Sequence, residues 1–157
     1  MAVVRILVDG YSMLHSCEDL APGRPRHSAA AREELIRLLT QYRDATGTPI
    51  TVFFDGAGAP SGNPNAASTA DMEILYSKPG QTADDMIERV AHRLSAYGEV
   101  LVVTDDLAER DTVLSVGGTA ASCANFFDTI QAKLRDMQSN LKYHNERELK
   151  RFKRPSS

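Results

Sequence analysis

Cysteine is scarce in this chain of 157 residues: Cys17 and Cys123 stand alone, with no second cysteine near either. That argues against a cysteine-based zinc site and against a disulfide framework, and it fits a reducing cytoplasm. Long apolar runs are missing as well. None approaches the roughly 20 residues of a membrane span. A predicted strand opens at Val3, which leaves no room for a secretory leader. Histidine occurs only four times, and none is placed as a general base. His15 follows the first turn on a face with Met13 and Leu14, while His27, His92 and His144 fall in no constellation.

What remains is ordinary in bulk, with 42% hydrophobic and 25% charged residues, as expected of one globular domain. The net charge of −3 hides an asymmetry. Residues 140–157 carry Lys142, Arg147, Lys150, Arg151, Lys153 and Arg154 against Glu146 and Glu148, a local balance of +4. The body, residues 1–139, is correspondingly acidic at −7. An acidic body with a basic C-terminal helix or tail suits a cation site plus a device for holding a polyanion.

Short β-branched runs alternate with helical periodicity, the pattern of a mostly parallel sheet of about five strands with helices on both faces. Strands are predicted at Val3–Val8, Ile50–Phe54, Met72–Ser77, Val100–Thr104 and Thr119–Ala121. Helices are predicted over Ala29–Thr46 with Ser28 as N-cap and Gly47 as stop, over Ala83–Tyr97, over Leu107–Val116, and from Ser122 through Leu134. Gly10-Tyr11-Ser12 reads as a turn, residues 18–28 as a loop, and Gly56–Ala70 as a long functional or disordered loop.

Aspartates close three of the strands: Asp9, Asp55, and the pair Asp105-Asp106. In doubly wound sheets the carboxyl ends of the strands share one edge, where ligands bind. Asp84, Asp85 and Glu88 open the helix that follows the third strand. Capping explains some of these acids without function. Thr82 and Asp85 have capping-box spacing, and Asp106 has a cap role with Glu109 as its reciprocal partner. Asp84 and Glu88 lie four residues apart, where like charges disfavour the helix unless a cation joins them. Several carboxylates converging on one edge therefore predict a divalent-metal site.

Val8-Asp9-Gly10-Tyr11, Phe54-Asp55, Gln81-Thr82-Ala83-Asp84 with Ile87-Glu88, Val103-Thr104-Asp105-Asp106 with Ala108-Glu109, and Gly117-Gly118 with Ser122 follow in the order of the YacP-like NYN domains, part of the PIN-like nuclease class. The chain resembles that family over roughly residues 3–130. The resemblance implies a metal-dependent endoribonuclease acting on RNA, with messenger RNA on the ribosome as the substrate of bacterial members. It implies Asp9, Asp84 and Asp106 as catalytic and metal-binding acids, with Ser12, Asp55, Glu88 and Asp105 supporting. Ser12 stands where the family usually has Asn, and Asn125 where a charged residue is expected. Phosphodiester hydrolysis calls for a hard cation, Mg²⁺ or Mn²⁺. Tyr11, Arg24, Arg26, Arg32, Lys150, Arg151, Lys153 and Arg154 are the candidates for holding RNA.

Rival classes fare worse. A phosphotransfer receiver requires a lysine after a late strand, and none follows Gly117-Gly118; a dehalogenase-type phosphatase requires an aspartate at position 11, which is Tyr11. The alternative that keeps the fold is a weak or inactive PIN-like module that binds RNA or the ribosome.

Overall fold

The computed structural model describes residues 3–56 and 68–153, without the side chains of residues 152 and 153. The chain runs β1 (Val3–Asp9), α1 (Gly10–Ser16), a 3₁₀ turn (Glu18–Leu20), α2 (Ala29–Thr46), β2 (Ile50–Phe54), β3 (Met72–Tyr76), α3 (Ala83–Leu94), β4 (Glu99–Val103), α4 (Leu107–Ser115), β5 (Thr119–Ala121) and α5 (Cys123–Lys153). The strands form one five-stranded sheet in the order β3-β2-β1-β4-β5. Every pairing is parallel, with Ile6 opposite both Ile50 and Leu101, Val52 opposite Ile74, and Val102 opposite Ala120. The chain builds outward from β1 to β3, then returns through α3 to start again at β4 on the other side of β1. The switch of direction falls between β1 and β4, where such sheets open a crevice at the strand ends.

Strand alternation divides the apolar side chains between two cores. Ile6, Val8, Ile50, Val52, Phe54, Ile74 and Val103 meet α1, α2 and α5 through Met13, Leu14, Leu35, Leu39, Cys123, Phe126 and Ile130. Leu7, Phe53, Val100 and Val102 meet α3 and α4 through Ala83, Ile87, Ala91 and Val113. A parallel strand covered on both faces has no polar side, and all five residues of β2 are buried.

The helix ends follow their sequence signals. Ser28 accepts the Ala31 N–H at 3.1 Å, and Gly47 closes α2 at φ 74°. Thr82 and Asp85 form a reciprocal capping box at the head of α3. Two readings change. Residues 10–12 are not a simple turn but the start of α1, capped by Asp9. A seven-residue helix is too short to show a periodic stripe, so its signal was lost in the turn-like Gly-Tyr-Ser. The last helix does not end near Leu134 but continues unbroken to Lys153, across the expected boundary between body and tail at residues 139–140. Every residue from 135 to 151 is exposed, so this half of α5 is helical without burying a face. Most of the long loop expected over Gly56–Ala70 lies outside the described residues.

Gly10 is required by close approach. A Cβ there would lie 2.3 Å from Cε1 of Phe54, a buried ring in the core under α1. Gly10→Ala is expected to cost about 1–3 kcal/mol through overpacking. Urea unfolding checks this as a lower midpoint at an unchanged slope.

Candidate metal centre

Asp9 ends β1 and caps α1, accepting the Ser12 N–H at 3.3 Å. Its backbone position is thus set by the sheet and its carboxylate by the first turn of the helix. Asp84 lies in the first turn of α3, which is pinned to β2 because Asp55 accepts the Ala83 N–H at 3.0 Å. From the other side of the switch point comes Glu109 on α4, only 2% exposed. One carboxylate oxygen from each of Asp9, Asp84 and Glu109 lies within 4.8 Å of the others.

Glu109, not Asp106, joins the two acids, and hydrogen bonding explains why. Asp106 is the N-cap of α4, and its Oδ1 accepts the N–H groups of Ala108 at 2.9 Å and Glu109 at 3.2 Å. In a reciprocal capping box the glutamate would return to the N-cap's own N–H. Here the buried Thr104 hydroxyl already accepts that Asp106 N–H at 3.2 Å, and it donates to Glu109 Oε2 at 3.1 Å. Glu109 is released from capping and turned inward. Its Oε1 is buried with no protein partner among the described residues.

The electrostatics follow from burial and like charge. Burial raises the Asp9 pKa to about 6, helped by the charges of Asp84 and Asp55 and opposed by the Ser12 N–H. Burial pushes Glu109 up to about 9, with Asp84 and Asp9 adding and the Thr104 hydroxyl opposing. Three carboxyl oxygens this close, one of them buried without a donor, fit a hard divalent cation, which takes oxygen donors alone. In such a centre Asp9, Asp84 and Glu109 are the available donors.

The remaining expected residues are placed as follows. Asp105 is a tie between helices: it accepts the Cys123 N–H at 3.0 Å and the Ser16 hydroxyl, joining α5 to α1. Burial opposes its charge, but these bonds and the nearby Arg110 hold its pKa below the usual value. Ser12 accepts the Asp105 N–H at 3.5 Å, a long contact. Glu88 is exposed and stands outside the acid group. It sits a turn further along α3 than Asp84, about 6 Å from the helix head where the acids gather. Asn125 is exposed, its N–H taken by Ser122.

Of the cationic candidates, Arg24 is exposed, and Arg26 is engaged by Glu18 at 3.1 Å and His15 at 3.1 Å. Lys150 and Arg151 are exposed on α5, Arg151 3.6 Å from Glu148. The Lys153 side chain and Arg154 lie outside the described residues. Arg32 is buried rather than free, and Tyr11 is packed at 4.5 Å on His27 and 5.1 Å on Phe54. Lys78, which looks from sequence like part of a turn, lines a groove with Asp55, Gly56, Ser77, Gln81 and Thr82 beside the centre.

Comparison with known proteins bears on the family and the fold. The sequence profile of the YacP-like NYN domain matches residues 6–156. The chain belongs to the YacP-like NYN domain family. This NYN chain is 27% identical over 127 residues to the uncharacterized protein YacP of Bacillus subtilis strain 168, covering 80% of this chain and 74% of that one. The crystal structure of Rae1 (YacP) from Bacillus subtilis superimposes on its fold with a TM-score of 0.77 at 23% identity, over 94% of this chain and 84% of the other. The W164L mutant of Rae1 gives 0.72 at 24% identity, over 90% and 84%. NYN domains fall within the PIN-like nuclease superfamily, whose members usually use divalent metals.

The raised acids make metal-free stability depend on pH. Both folded pKa values lie above their ordinary values of 3.8 and 4.5, so the folded state holds protons that the unfolded chain releases. Stability is therefore full below about pH 4 for these groups and is lost as pH rises through about 6 for Asp9 and about 9 for Glu109. Thermal melts in chelator are expected to show this decline, Mn²⁺ to reverse it at pH 8, and Glu109→Gln to flatten it.

Proposed function

We propose that this YacP-like NYN protein is a divalent-metal-dependent endoribonuclease, with Mg²⁺ or Mn²⁺ held by Asp9, Asp84 and Glu109. The observation that carries the reading is Glu109 Oε1, buried without a protein partner beside the carboxylates of Asp9 and Asp84 at the switch point of the sheet. A divalent cation supplies Lewis acidity toward a phosphodiester and a nucleophile near neutral pH.

The chain's own residues hold and orient. Ser12 fixes the Asp9 carboxylate through its N–H, and Thr104 fixes Glu109 through its hydroxyl. Asp55 anchors the head of α3 and so places Asp84. Asp105 locks α1 against α5 and keeps the Asp9 turn in position. Lys78, in the adjoining groove, and exposed Arg24 are positioned to hold phosphates of an RNA strand. The basic end of α5, with Lys150 and Arg151 exposed, adds cations that could engage messenger RNA on the ribosome. No helix among the described residues is long and apolar enough to cross a membrane. Together with two buried free thiols, that supports a cytoplasmic setting.

The test is Mn²⁺ calorimetry paired with cleavage of labelled single-stranded and ribosome-bound RNA. Asp9→Asn, Asp84→Asn and Glu109→Gln are each expected to weaken Mn²⁺ binding by about a hundredfold or more, beyond the effect of an outer-shell change, and to abolish cleavage. Asp106→Ala is expected to cost about 1 kcal/mol of stability as a lost cap while Mn²⁺ binding persists. An Asp106 variant that loses the metal while Glu109→Gln keeps it would overturn this ligand set. Wild-type protein that binds RNA but no Mn²⁺ would instead be an inactive RNA-binding module.

A further inference from the structure

Arg32 is the buried arginine among the described residues, with 7% of its surface exposed. It sits in the first turn of α2, and its Nη1 donates to the His27 carbonyl at 2.9 Å and to the Tyr11 hydroxyl at 3.3 Å. Burial raises the pKa of the nearby Tyr76 hydroxyl, and the charge of Arg32 pulls it back. These groups ring the ends of three neighbouring strands: Tyr11 lies two residues beyond Asp9, and Tyr76 ends β3. Phe54, at the end of β2, lies between them, edge-on to Tyr11 at 5.1 Å and stacked on Tyr76 at 5.5 Å. The guanidinium is thus held by the Tyr11 phenol at the same sheet edge as the acids.

The anomaly is its charge. Arg5, Arg26, Arg37, Arg43 and Arg151 each pair with a carboxylate, whereas Arg32 forms no ion pair among the described residues. A guanidinium stays protonated in any protein environment. A phenol and a carbonyl accept from Nη1 but bring no counter-charge, and burying a cation without one is unfavourable. The neighbouring acid cluster, by contrast, repels any phosphodiester that approaches it. The two imbalances have opposite sign and lie on the same edge.

We propose that Arg32, held through Nη1 by Tyr11 and the His27 carbonyl, is a preformed seat for a backbone phosphate of single-stranded RNA next to the one that enters the acidic centre. This rests on the endoribonuclease reading and assigns the substrate contact within it. The planar fork of Arg suits two oxygens of one phosphate. Tyr11 acts as a positioning residue, holding the guanidinium in place before RNA arrives.

The experiment uses the full chain in an Asp84→Asn background with Mg²⁺, so that RNA is bound and not cut, and follows fluorescence anisotropy of labelled oligouridylate over a salt series. Arg32→Gln is expected to weaken binding about fivefold to tenfold and to flatten the slope of log K against log salt by about 0.7, the contribution of one single-strand phosphate. Arg32→Lys keeps the charge and loses the fork, and is expected to fall between. Because Arg32→Gln is at risk of misfolding, the Arg32 Nε–H resonance is also followed by NMR in the parent, where added oligouridylate is expected to shift it. Parent-like affinity and slope in a folded Arg32→Gln variant, or an unmoved Nε–H resonance at saturation, overturns the seat and leaves the metal-centre reading standing. A parent that binds no oligouridylate overturns the seat together with the RNA reading, even if Mn²⁺ still binds.

Discussion

Three carboxyl groups converging at a sheet edge, one fully buried and two partly so, cannot readily all carry their charge unless something positive joins them. Much of the structure near the sheet edge follows from managing that conflict. Asp9 is steadied by a helix N–H and Glu109 by a hydroxyl, while both are driven toward their neutral forms by burial. The apoprotein relieves the repulsion with protons, and a cation would relieve it by displacing them. Metal affinity and proton affinity are two uses of the same strain.

The fold supplies this convergence from distant parts of the chain. A parallel sheet places every strand end on one edge, and the change of direction between β1 and β4 leaves a gap there. Asp9 comes to the gap from β1, Asp84 on the helix that crosses back, and Glu109 on the helix after β4. Asp55 and Asp105 tether neighbouring helices to this frame. Acids that look equivalent in sequence therefore divide into those that meet and those that hold backbone in place.

Legibility in the sequence tracked how many residues shared a signal. The strands, α2 between Ser28 and Gly47, and the Thr82–Asp85 cap were readable because repeated apolar spacing and caps agreed. Asp84 was readable as a helix-head acid left free by the Thr82–Asp85 cap, and Asp9 as a strand-end acid, although its role as N-cap of α1 was not. Glu109 was misread because Asp106-x-x-Glu109 has the spacing of a capping box, and one buried hydroxyl, Thr104, decides otherwise. The burial of Arg32, a candidate RNA contact, was not legible because burial of a helix's first turn depends on what packs over it. Here that is an aromatic group assembled from three strand ends. Such decisions rest on single tertiary contacts, and local pattern carries no trace of them.

The unbroken course of α5 ties direction to residue count. Each helical residue turns the chain by about 100° and advances it about 1.5 Å. A single alanine inserted between Leu134 and Lys142 would leave the charge unchanged, yet swing Lys142, Arg147, Lys150 and Arg151 through more than a quarter of a circle relative to the sheet. Seven added residues would nearly restore the phase and merely lengthen the arm. A flexible tail would be indifferent to both changes. In this protein the spacing of the chain after Leu134 acts as an angular setting for its cations.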